Sequence, residues 1–225
     1  MRIRVVMVDD EVLVLDSLQR ILAKESDIEV VAAVSTGLDA AQSVRDHRPD
    51  VVLMDLLLKG EMDGVEATRR IRNMLHPPGV LAVTSFDTDV YMRGALNAGA
   101  TGFLLKTDAT DSLATAIRMT HAGDPMISPQ LTSRLISTYI APSTDPLCEA
   151  ARQKVTALSD REIQVAQMVG AGHTYGEISE RLFISASTVK STVGRAMSKV
   201  GADSGAQLAV VVAQARLDLL GDATT

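Results

Sequence analysis

One cysteine, Cys148, stands in the whole of this 225-residue chain. It has no partner for an internal disulfide, and no cysteine or histidine cluster accompanies it at zinc-ligand spacing, so neither a disulfide framework nor a structural zinc is expected. His47, His76, His121 and His173 are scattered and are read as structural or surface groups. Methionines at helical spacing are read as core. Long apolar runs are missing as well. None reaches the roughly 18 residues of a membrane span, and the amino terminus enters a strand without a signal-peptide pattern, which points to the cytoplasm and away from a membrane. There is no excess of positive charge: Lys+Arg 22 against Asp+Glu 28 leaves a net charge of −6. A chain this acidic is a poor general binder of nucleic acid, so any DNA-directed function has to rest on a local patch. Internal repeats and low-complexity segments are absent.

What is present is an ordinary globular composition, 46% hydrophobic and 22% charged, in a length that favours two small domains. Residues 3–122 alternate apolar runs with helical periodicity five times. Strands are read at about 3–9, 28–34, 50–55, 79–84 and 101–105, and helices at about 12–25, 37–47, 63–75, 88–98 and 109–121. That alternation predicts a doubly wound α/β domain. Gly123-Asp124-Pro125 stops the fifth helix. Ser128-Pro129 opens a short helix to about Tyr139, and the proline-containing stretch 141–146 comes after it, so residues 123–155 read as an interdomain connector. From Leu158 the pattern is purely helical. Ser159 with Glu162 and Thr174 with Glu177 form capping boxes, Ser185 caps a third helix, Gly172 and Gly201 supply stops, and Ser204 opens a last helix to about Leu219.

The apolar run Val51-Val52-Leu53-Met54 leads straight into Asp55, as a strand buried on both faces leads to its carboxyl end. Ligands of open α/β sheets gather along that edge. Other strands deliver partners there: Asp9 and Asp10 after the first, Thr84 and Ser85 after the fourth, Lys106 after the fifth. Taken singly, Asp10 reads as a helix N-cap, Asp55 as a polar strand end and Phe103 as core. Together, three carboxylates, a hydroxyl and an ammonium are what a magnesium-assisted phosphoryl acceptor requires. The carboxylates would hold Mg²⁺, Asp55 would act as nucleophile, and Lys106 and Thr84 would contact phosphoryl oxygens.

Asp9-Asp10, Asp55, Thr84 and Lys106, with Phe103 three residues before the lysine, resemble the receiver domain of bacterial two-component response regulators over residues 1–122. The resemblance implies a flavodoxin-like five-stranded parallel sheet of order 2-1-3-4-5 and phosphotransfer from a sensor histidine kinase. It also implies metal binding by Asp9, Asp10, Asp55 and the Leu57 carbonyl, and a switch pairing Thr84 with Phe103. Two departures stand out. The loop Leu56-Leu57-Leu58-Lys59-Gly60-Glu61-Met62-Asp63-Gly64 is one residue longer than the family's and lacks its proline, and Lys106 is followed by Thr107 where many receivers have proline.

In the second domain, Val189, Val193, Ala196, Met197 and Val200 form an apolar stripe, leaving Ser187, Ser191, Arg195 and Ser198 on the other side, with Lys190 and Lys199 beside them. From Arg181 to Val200 there are four basic residues and no acidic one, a local phosphate-seeking patch. The frame Leu158-Ser159-Asp160-Arg161-Glu162, Gly172, Glu177-Ile178, Leu182, Ile184-Ser185, Thr188-Val189-Lys190 and Lys199-Val200-Gly201 resembles the LuxR-type helix-turn-helix, within a small all-α domain at 156–225. That resemblance implies a helix over 185–200 in the major groove, with Lys190, Ser191 and Gly194 facing bases and Ser187, Thr188, Thr192, Arg195 and Lys199 among the neighbouring contacts. Gly194 stands where a longer side chain is usual and Thr192 where histidine is common.

The two modules in this order resemble the NarL/FixJ class. The expected function is a transcription factor, not an enzyme, switched by phosphorylation of Asp55 and capable at most of slow self-dephosphorylation. It would form a homodimer when active and read paired half-sites in double-stranded DNA. The alternative is the same DNA binder used without a kinase. A dehalogenase-type phosphohydrolase would want a second aspartate where Leu57 stands, and a flavin phosphate would be repelled by Asp9-Asp10-Glu11.

Overall fold

The computed structural model describes residues 2–84, 89–124, 126–127, 151 and 153–216. The chain divides into two compact units, Met1–Met126 and Ile127–Thr225.

In the first unit strands alternate with helices: β1 (Ile3–Val8), α1 (Val12–Leu22), β2 (Ile28–Val34), α2 (Gly37–His47), β3 (Val51–Asp55), α3 (Gly64–Arg72), β4 (Gly79–Thr84), α4 (Asp89–Asn97), β5 (Gly102–Leu105) and α5 (Ala109–Ala122). The sheet order is β2-β1-β3-β4-β5, with β1–β2, β1–β3, β3–β4 and β4–β5 all parallel, as expected of a doubly wound fold. A two-residue strand, β6 (Met126–Ile127), extends the edge beyond β5. It lies within the stretch read as connector; two residues carry no periodicity to betray a strand. The expected helix at 129–139, the proline-containing stretch after it and the end of the last helix lie outside the described residues.

Two hydrophobic layers explain why the strands read as unbroken apolar runs. Val5, Met7, Leu53, Leu81, Val83 and Leu104 pack against Leu15, Leu18 and Leu22 of α1 and Leu113, Ala116 and Ile117 of α5. Their alternates, including Val6, Val52, Met54 and Val80, pack against Ala40 and Val44 of α2 and Ala67 and Ile71 of α3. Every residue of β3 is therefore buried. Burying such side chains stabilises by about 1.5–3 kcal/mol each, so the central strand firmly positions Asp55 at its carboxyl end.

The loop after β3 is held at several points. Leu58 and Met62 are buried, and the Gly64 amide donates to the Leu56 carbonyl at 3.3 Å. Asp63 caps α3, its Oδ1 accepting from the Glu66 amide at 2.8 Å. A Cβ on Gly64 would lie 1.9 Å from the Asp55 carbonyl oxygen, so only glycine lets α3 begin this close to the end of β3.

In the second unit, α6 (Asp160–Gly170), α7 (Tyr175–Leu182), α8 (Ala186–Val200) and α9 (Gly205–Arg216) surround a core that includes Leu158, Val165, Val169, Ile178, Val189, Val193, Val200 and Leu208. Both expected capping boxes form, Ser185 caps α8 through the Thr188 amide at 3.1 Å, and Gly201 ends it with φ 66°. Between α7 and α8, Phe183 takes a left-handed φ of 53°.

Gly64→Ala is expected to destabilise the first unit by on the order of 3 kcal/mol in urea unfolding, because backbone must move to admit the methyl group.

Candidate functional site

The strands bring Asp9, Asp55, Thr84 and Lys106 to one edge of the sheet, and Asp9, Asp55 and Thr84 are all buried. Lys106 opens a 3-10 turn, Lys106–Asp108, directly after β5. Its ammonium bridges two carboxylates: Nζ lies 2.8 Å from Asp9 Oδ2 and 3.0 Å from Asp55 Oδ2. The remaining oxygens of those carboxylates accept from backbone, Asp9 Oδ1 from the Glu11 amide at 3.0 Å and Asp55 Oδ1 from the Leu57 amide at 3.2 Å. Leu57 thus lies beside Asp55, in contact through its amide.

Asp10 is free of the capping role it could have had. Glu11 occupies the N-cap position of α1, and no side chain caps that helix. Asp10 instead meets Lys59, whose Nζ lies 2.9 Å from Asp10 Oδ2. Carboxylate oxygens of Asp9, Asp10 and Asp55 all lie within 4.8 Å of one another. Three hard anionic oxygen donors at that spacing suit a small divalent cation.

Burial sets the electrostatics. Desolvation pushes the Asp9 carboxyl above its ordinary value, although the hydrogen bonds from Lys106 and the Glu11 amide oppose it. Desolvation would lower Lys106, but hydrogen bonds and charge from Asp9 and Asp55 outweigh it and raise the net value. Lys106 therefore stays cationic at any physiological pH. Phe103 is fully buried and paired in register with Ala82, while Thr84 pairs with Leu105. Both members of the expected switch pair thus lie on adjacent strands, β4 and β5.

In the second unit, Ser187, Thr188, Lys190, Ser191, Gly194, Arg195 and Lys199 are exposed on α8. A Cβ on Gly194 would meet nothing within 4 Å, so the position is open to any partner. Thr192 is the exception among the expected contacts. It is 2% exposed, its hydroxyl donates to the Thr188 carbonyl at 2.8 Å and accepts from Arg195 Nη2 at 3.0 Å. It serves the packed side of the helix because a residue three after Val189 and one before Val193 falls on the inward face.

The comparisons with known proteins agree with this geometry. Residues 5–118 match the family model described as response regulator receiver domain, and residues 156–212 match bacterial regulatory proteins, luxR family. The chain belongs to the LuxR-type two-component response regulators. The oxygen regulatory protein NreC of Staphylococcus aureus strain MRSA252 is 31% identical over 205 residues, 91% of this chain and 94% of that protein. Its counterpart in Staphylococcus epidermidis strain ATCC 12228 is 30% identical over the same shares. Among solved structures, the response regulator ChrA of a heme-sensing two-component system is 31% identical, covers 96% of this chain and 98% of its own, and has a TM-score of 0.54. A LuxR-family response regulator from Aurantimonas is 29% identical, covers 63% of this chain and all of its own, and has a TM-score of 0.58. This response regulator is accordingly a DNA-binding transcription regulator of a two-component system. Among its described residues no helix is long and apolar enough to cross a membrane.

Two ion pairs near the candidate residues are not visible in the sequence. One is Lys59 with Asp10. The other is Glu162, a capping-box residue that is 3% exposed and also binds Lys199, with Nζ to Oε2 at 2.8 Å. Arg195 Nε leans the same way at 3.9 Å from Glu162 Oε1. Lys199 and Arg195, expected as DNA contacts, therefore also tie α8 to the start of α6. Nothing short of the packing could show it, since the ion pair spans 37 residues.

The bond from Lys199, with those from the Ser159 amide and hydroxyl, holds the Glu162 carboxyl down to about 2. A depressed carboxyl contributes stability above its unfolded value, near 4.5, and loses it as pH falls towards 2. The stability of the helical unit, followed by urea unfolding with circular dichroism, is expected to fall across that window. Glu162→Gln should flatten this dependence and destabilise the unit by on the order of 2–3 kcal/mol at pH 7.

Proposed function

We propose that Asp55 accepts a phosphoryl group from the phosphohistidine of a sensor histidine kinase, and that its modification controls DNA binding through α8. The observation that carries this reading is the Lys106 ammonium shared by Asp9 and Asp55, with Asp10 in the same cluster. An Asp55 oxygen attacks phosphorus, the P–O bond forms as the P–N bond to the imidazole breaks, and the imidazole leaves. Lys106 is already 3.0 Å from Asp55 Oδ2, so it needs only a small shift to pair with a phosphoryl oxygen. Thr84 donates a hydrogen bond to another such oxygen, and Phe103 moves with it as the coupled element. A bound Mg²⁺ would be held by Asp9, Asp10, Asp55 and the Leu57 carbonyl, and supplies positive charge against the repulsion between two anions.

In this reading residues 1–122 are the receiver, 123–155 a linker and 156–225 the DNA-binding domain. The protein is a cytoplasmic regulator rather than an enzyme, with slow self-dephosphorylation at most. Lys190, Ser191 and Gly194 face base edges, while Ser187, Thr188, Arg195 and Lys199 meet phosphates. Two protomers bind paired half-sites one or two helical turns apart. Use without a kinase has less support, because it gives no role to three carboxylates gathered within 4.8 Å of one another beside that ammonium.

Incubation with acetyl phosphate and Mg²⁺ should retard the wild-type chain in a phosphate-affinity gel and leave Asp55→Asn unretarded; equal migration would overturn the reading. Lys190→Ala should weaken binding to duplex DNA by about three- to tenfold in fluorescence anisotropy, and lower the slope against log salt by about 1.

A further inference from the structure

We propose that Lys59 competes with the divalent cation for Asp10, so that the acidic site loads only at a higher cation concentration than its three carboxylates would otherwise require. The inference rests on the reading of Asp9, Asp10 and Asp55 as a cation site, and concerns Lys59 in the loop that departs from the family's pattern.

The loop cannot retract from the site. Leu58 and Met62 are buried at 5% and 4% exposure, and Gly64 is locked against the Asp55 carbonyl, which leaves Lys59, Gly60 and Glu61 as an exposed tip. Gly60 has φ 123°, backbone that side chains rarely adopt, so the tip folds back through a residue suited to it. The outcome is Lys59 Nζ on Asp10 Oδ2 at 2.9 Å. The two lysines thus divide the cluster: Lys106 covers Asp9 and Asp55, and Lys59 covers Asp10. The hydrogen bond to Asp10, and then the charges of Asp10, Glu11 and Asp55, hold Lys59 cationic.

Lys106 is half-buried and is needed for the phosphoryl group, whereas Lys59 is 85% exposed. An exposed ion pair is weak, so Lys59 yields to a doubly charged ion and acts as a graded competitor rather than a lock. A single positive charge about 5 Å from a divalent ion, in a solvent-like dielectric, weakens its binding by roughly three- to tenfold.

Isothermal titration calorimetry of the full-length chain with MgCl₂, and no phosphodonor, tests this directly. Lys59→Ala is expected to bind Mg²⁺ about three- to tenfold more tightly than wild type, Lys59→Arg to stay near wild type, and the gap to narrow in 1 M KCl, where the screening length falls to ~3 Å. Asp10→Asn serves as the control for the site. Wild-type binding that Asp10→Asn abolishes, with Lys59→Ala equal to wild type or weaker, would overturn the proposal and leave the cation site intact. No Mg²⁺ binding by any of the four proteins would overturn both.

Discussion

A single ammonium group shared by two buried carboxylates is the interaction on which the receiver's chemistry depends. Asp9 and Asp55 are 2% and 3% exposed, and two such charges without a counter-ion would repel one another in a poorly solvated place. Lys106 removes that conflict, and it comes from the end of β5 while they come from the ends of β1 and β3. The parallel order β2-β1-β3-β4-β5 is what brings those strand ends to one edge. Both layers of core packing keep the strands in register, and the requirement for glycine at position 64 keeps α3 close behind the acceptor.

The helical unit uses the same pair of groups to an opposite end. Glu162 is buried like Asp55 and bound by an ammonium like Asp55, yet its carboxylate also closes the capping box of α6 by accepting from the Ser159 amide and hydroxyl. Its bonds all serve the fold, and its carboxyl is held down to about 2. Asp55 receives one backbone hydrogen bond and one from a lysine that can turn to a new oxygen. The two carboxylates thus differ in how many of their partners belong to the fold and how many can be reassigned.

The strand ends that carry the site were legible because strands buried on both faces are unbroken apolar runs, and a charge after such a run has few places to go. Helix starts were legible because Ser159, Thr174 and Ser185 obey local capping chemistry, which a few residues of sequence contain in full. Contacts made over long separations were not legible. Lys199 reads as a DNA-facing cation until the fold sets it beside Glu162, and Thr192 is expected as a DNA contact from the family resemblance until the helix phase buries it. The loop after Asp55 departs from the family by a residue. Only the folded loop, anchored by Leu58, Met62 and Gly64, shows that Lys59 meets Asp10.

Of the carboxylates gathered at this edge, we propose that Asp55 alone becomes phosphorylated. Borohydride reduces an aspartyl phosphate to homoserine, marking the modified position permanently. After treatment with a small phosphodonor and borohydride, peptide mass spectrometry should find homoserine at position 55 alone. Homoserine at position 9 or 10, or none anywhere in the chain, would rule out Asp55 as the acceptor.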